Sequence, residues 1–187
     1  MESIGAPAYK IASFELVDIP LIEYAASKGK PMIISCGMGT KEEIHEAVDA
    51  CHRMNNDQII LLKCCSEYPA ILTDMHISNV SDMIGEFNVP VGLSDHSEGS
   101  LAAVVAVGSG ASVIEKHVKI DGIDSADSKF SMPMDDFADM VRKIRDAKCM
   151  LGDVKYGATS GEQVNLLFRR SLFAVKDIKY TATCSTS

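Results

Sequence analysis

Five short apolar runs punctuate the chain, at 9–13, 31–37, 59–63, 89–96 and 113–119, and their starts lie roughly 22 to 30 residues apart. Stretches with helical spacing fill the gaps. Asp18 caps the first predicted helix, Pro20 sits in its first turn, and Gly29 ends it. Thr40 and Glu43 form a capping box for the second, whose apolar stripe is Ile44, Ala47, Val48 and Cys51, and Asn55-Asn56-Asp57 breaks it. Further helices are predicted over about 74–87, 100–108 and 135–151, the last strongly amphipathic. Continuous apolar strands alternating with helices predict a parallel sheet covered on both faces.

The first strand-to-helix turn lacks the glycine-rich phosphate fingerprint of a dinucleotide-binding fold. Polar residues recur instead at the ends of the runs: Ser13, Ser35, Ser66, His96 and His117. Functional strand ends spread over many strands are the habit of a (β/α)8 barrel, which takes about 250 residues and eight strands. Five βα units predict an incomplete TIM-type barrel over 1–151, in the α/β class. Beyond it, 152–187 reads as a linker: a turn-rich start, a short helix over 162–170, a strand over 171–178 and a polar tail.

A net charge of −8 without a basic stripe argues against a nucleic-acid surface. The six cysteines fit neither a disulfide framework nor a zinc ribbon, and with no apolar leader or membrane-length run they predict a reducing, cytoplasmic setting. Two runs end in a histidine beside a carboxylate: Asp95-His96, and Glu115 two residues before His117. Residues two apart on a strand share a face, so Glu115 and His117 point the same way, with His96 at the mouth of the neighbouring strand. That arrangement predicts a metal and acid–base site.

Six segments in order resemble the sialic acid synthase family: AYKIAS (8–13), GKPMIISCGM (29–38), LLKCCSEYP (61–69), GLSDH (92–96), VIEKH (113–117) and FRRSL (168–172). Within it, ASFELVDIP and ADSKFSM look most like the pseudaminic acid synthase branch. The resemblance implies strands four to eight of a barrel, without its first three strands and C-terminal antifreeze-like domain. It also implies a homodimer in the full-length enzyme, and a reaction condensing phosphoenolpyruvate with an N-acetylated amino sugar to a nine-carbon α-keto acid.

By the same resemblance, His96 and His117 would hold a divalent metal, manganese in most of the family. Lys10, Ser13 and Ser35 would hold the phosphate and carboxylate of phosphoenolpyruvate, and Tyr68 and Asp127 would lie near the sugar. Asp95 and Glu115 are candidate catalytic groups that orient the imidazoles or contact substrate. Three alternatives stand beside this reading: N-acetylneuraminate synthase proper, a barrel metallohydrolase built on the two histidines, and an inactive truncated barrel serving as an interaction module. His45, His52 and His76 are expected on helix surfaces.

Overall fold

The computed structural model describes residues 2–177, and the chain divides into two units, Met1–Gly152 and Asp153–Ser187. In the first unit the apolar runs become strands β1 Tyr9–Ile11, β2 Met32–Ser35, β3 Ile59–Cys64, β4 Val91–Asp95 and β5 Ile114–Lys116. They form one parallel sheet in that order. Helices α1 Ile19–Ala26, α2 Lys41–Arg53, α3 Asn79–Phe87 and α4 Leu101–Gly108 make the crossovers, and α5 Met134–Leu151 follows the last strand.

The predicted caps form. Asp18 Oδ1 accepts from the Leu21 amide at 3.1 Å. Thr40 Oγ1 accepts from the Glu43 amide while Glu43 Oε2 accepts from the Thr40 amide, so two amides without helical partners are satisfied reciprocally. The stripe Ile44, Ala47, Val48 and Cys51 is buried in the main core.

Register separates the two faces of the sheet. Tyr9, Ile11, Met32, Ile34, Ile59, Leu61, Val91 and Leu93 share one face and pack with helix residues such as Ile22, Val48, Val80 and Ala106. The other face carries Lys10, Ser35, Leu62, Cys64, Gly92, Ser94 and Glu115. No second helix layer covers it among the described residues, in contrast to the two-sided cover predicted. The sheet curls instead. Four strand spacings would put β1 and β5 about 19 Å apart if it were flat, yet Lys10 Nζ on β1 lies 3.5 Å from Glu115 Oε1 on β5. The inner face is therefore concave, a half-barrel whose edges are β1 and β5.

Gly92 lies opposite Leu62 on the concave face. A methyl group there would collide with the Val113 carbonyl and the Leu62 side chain. Gly92→Ala is expected to lower stability by about 3 kcal/mol in urea denaturation. Gly85→Ala on α3, where a methyl group meets nothing, is expected to raise it by about 1 kcal/mol.

Three elements differ from expectation. The third helix begins at Asn79 rather than near 74, because His76 adopts a left-handed φ of 41° that a right-handed helix cannot contain. The fifth run breaks at His117: β6 Val118–Lys119 leaves the main sheet to pair with β7 Met132–Pro133, and the His117 carbonyl accepts from the Met132 amide. In the second unit, a 3-10 helix spans Ser160–Phe168, but 171–177 forms no strand, since no neighbouring strand offers a ladder among the described residues. Ile178, the 180–187 tail and Cys184 lie outside the described residues. Among those residues, no helix is long and apolar enough to cross a membrane.

Candidate functional site

Lys10 is the first polar group on the concave face, placed there by the alternation of β1. Its ammonium donates to Ser35 Oγ at 2.8 Å and to the Ile11 carbonyl at 3.4 Å. Glu115 faces it across the curl and accepts from Ser94 Oγ at 2.6 Å, so a cation and a carboxylate share the floor. Both side chains keep over a third of their exposure, leaving them open to a ligand.

Ser13 and Ser66 close in around the end of β2. The Gly37 amide donates to Ser13 Oγ at 3.1 Å, and a methyl group at Gly37 would collide with both hydroxyls. A larger residue there would have to displace both hydroxyls.

The mouth is a cluster of rings. His96 and His117 have centroids 5.3 Å apart, Tyr68 lies 4.2 Å from His96, and Phe130 lies 5.1 Å from both Tyr68 and His117. Asp127 Oδ2 stands 3.6 Å from His117 Nδ1, beyond hydrogen-bond range but close enough for attraction. The loop between β6 and β7 carries Asp127 and Phe130 to this position.

His96 is nearly buried and bonds to the Cys65 carbonyl through Nδ1 at 2.8 Å. A carbonyl only accepts, so Nδ1 carries the proton, and in the neutral imidazole Nε2 keeps its lone pair. Cys64 Sγ lies 3.8 Å from the same nitrogen. Burial pulls the His96 pKa down, but hydrogen bonds to Cys64 and the Cys65 carbonyl, and the charges of Cys64 and Glu115, outweigh it and leave it raised. Burial pushes the Cys64 thiol up, while hydrogen bonds from His96, Ser13 and Ser66 bring it down to about 7. Burial pushes Cys36 up to about 12, outweighing a backbone hydrogen bond from Leu62. Burial, with the charges of Cys64, Glu115 and Asp127, raises Tyr68.

A metal expected from the sequence meets a donor set of two imidazoles. His96 has its second nitrogen tied to a carbonyl, the arrangement that orients metal-binding histidines. No group of three or more His, Cys, Asp or Glu residues suited to a metal forms among the described residues. The pair thus fits an open site, with remaining positions for water and substrate, and does not make a closed cage.

Lys10, Ser13, Ser35, Tyr68, Glu115, Asp127, His96 and His117 come together at the concave face and its mouth. Asp95 does not. It alternates with Ser94 and His96, so it points to the helix side, where its carboxylate meets Lys116 Nζ at 2.8 Å with both side chains buried. Of the two roles expected for Asp95, contact with substrate does not fit this outward position, and its hydrogen bonds go to Ser97 and Lys116 rather than to an imidazole. His45 and His52 pair with Glu86 and Asp57 on the outer surface, and His76 is exposed. Ser94, Cys64 and Phe130 join the site without having been expected there.

Known proteins are similar to this chain in sequence and in fold. Pseudaminic acid synthase of Campylobacter jejuni is 46% identical over 173 residues, which is 92% of this chain and 50% of that protein. The Helicobacter pylori pseudaminic acid synthase is 41% identical over 181 residues, covering 96% and 53%. The crystal structure of N-acetylneuraminic acid (sialic acid) synthetase from Leptospira borgpetersenii superposes with a TM-score of 0.81 at 32% identity, over 91% of this chain and 60% of that one. The chain spans about half the length of the curated relatives it matches. The NeuB family model matches residues 1–156, a span that holds every strand of the half-barrel and every residue of the mouth, and the chain belongs to that family.

Proposed function

We propose that this chain carries the metal and phosphoenolpyruvate side of a synthase site that joins phosphoenolpyruvate to an N-acetylated amino sugar, of the pseudaminic type. The observation that carries the reading is the pairing on one concave face of a cation, Lys10, held to Ser35, with two imidazoles whose rings lie 5.3 Å apart.

In the reaction, the methylene carbon of phosphoenolpyruvate bonds to the sugar's aldehyde carbon, and water adds at the second carbon. The bond from that carbon to the phosphate oxygen then breaks. One proton of the water ends on the new hydroxyl and the other on phosphate, leaving a nine-carbon α-keto acid. Lys10, with the Ser13 and Ser35 hydroxyls, binds the anionic donor. Its fixed positive charge stabilises charge that develops as the bonds change. Glu115, oriented by Ser94, accepts a proton from the attacking water and returns it to the nascent alkoxide. Tyr68, Phe130 and Asp127 orient the acceptor and exclude bulk water at the mouth. His96 and His117 would hold a divalent ion, manganese by expectation, which supplies Lewis-acid polarisation of the aldehyde oxygen when bound.

The test is manganese-dependent phosphate release from phosphoenolpyruvate by the full chain, with 2,4-diacetamido-2,4,6-trideoxy-altrose and with N-acetylmannosamine. Release with the first sugar alone is expected. Release with the second alone would move the acceptor to the N-acetylneuraminate type. Neither release nor manganese-dependent binding of phosphoenolpyruvate would overturn the reading.

A further inference from the structure

The last rung of the β4–β5 ladder pairs Asp95 with Lys116. Each immediately precedes one of the two histidines of the mouth. The side chains project to the helix side, where Asp95 is 0% and Lys116 2% exposed, and they meet at 2.8 Å. Ser97, fully buried, completes the knot. Its amide and hydroxyl donate to Asp95 Oδ1 at 2.9 and 2.7 Å, and its carbonyl accepts from Lys116 Nζ. The carboxylate thus receives three donors, and the ammonium has two acceptors.

The position of this knot matters more than its strength. A buried ion pair contributes little net stability, because desolvation offsets the attraction. Regular pairing between β4 and β5 ends at this rung, one residue short of the histidines. From there the β4 chain turns toward α4, and the β5 chain departs to pair with β7. His96 lies between two members of the knot and His117 follows the third. Lys116 therefore fixes both backbones where the ladder no longer does.

We infer that Asp95, Lys116 and Ser97 form a positioning clamp that sets the spacing of His96 and His117 from the opposite face of the sheet. None of the three touches an imidazole; the clamp acts through the backbone. The inference rests on the proposed reading of the histidines as a metal pair.

The test uses the full chain with Asp95→Asn, Lys116→Met and the double variant. The single Lys116→Met leaves a buried carboxylate unpaired and is the variant most prone to unfold. The double variant removes both charges and keeps similar shapes. With far-UV circular dichroism unchanged, it is expected to bind manganese at least about tenfold more weakly by electron paramagnetic resonance. It should also shift the imidazole 1H–15N resonances of both histidines, with the His96 Nδ1–H signature weakened. A folded double variant with wild-type affinity and unchanged imidazole resonances would overturn the clamp. Failure of the wild-type chain to bind manganese would instead sink the metal reading, and the imidazole resonances alone would then decide the clamp.

Discussion

His96→Ala and His117→Ala are each expected to abolish tight manganese binding, with a loss exceeding the 10- to 100-fold that removal of an outer hydrogen-bond partner typically costs. The reason is the sparseness of the donor set. Two imidazoles are the side chains at the mouth with the chemistry of a metal pair, and no cluster of three forms among the described residues. With one gone, a single imidazole remains at the mouth. Turnover should fall in parallel, since the aldehyde loses its polarising group. His45→Ala is the control: His45 lies on α2, bonded to Glu86 at 2.9 Å on the outer surface, and its loss should leave manganese affinity unchanged. Calorimetric titration of the three variants reads all of this. Equal affinity in His96→Ala and wild type would remove His96 from the site.

Lys10→Met should lower kcat/KM for phosphoenolpyruvate by about 100- to 1,000-fold, the range seen when one preorganised stabilising group is removed from a reacting centre. Two effects combine. The substrate loses a fixed cation, and Glu115, normally 3.5 Å from the ammonium, is left to repel an incoming trianion. The second effect is separable: adding Glu115→Gln to Lys10→Met should restore part of the phosphoenolpyruvate binding while leaving turnover low. Purely additive losses in the double variant would mean that the two side chains act independently.

Much of this was legible in the residues. The caps at Asp18 and Thr40, the buried stripe of α2 and the five parallel strands follow from period and capping chemistry, which are local. So does the inward place of Glu115 on β5. The same alternation, applied to Leu93-Ser94-Asp95-His96, puts Ser94 with His96 and turns Asp95 away. Reading Asp95 by its proximity in sequence to His96 overrode that signal. Cys64 was legible in the same manner, two positions before Ser66. Phe130 was not, because a loop between β6 and β7 positions it and no period describes a loop. The break at His117 was equally hidden, since it depends on pairing with Met132 from fifteen residues further on. Local pattern specifies elements; it does not specify where a ladder stops.

Anomalous diffraction from crystals of the chain grown with manganese and phosphoenolpyruvate would locate both ligands at once. A manganese peak at the mouth beside the His96 and His117 rings is expected, with the phosphoenolpyruvate anion against Lys10 and Ser35 on the concave face. Manganese coordinated away from both histidines, or phosphoenolpyruvate bound elsewhere than the concave face, would contradict the proposed site.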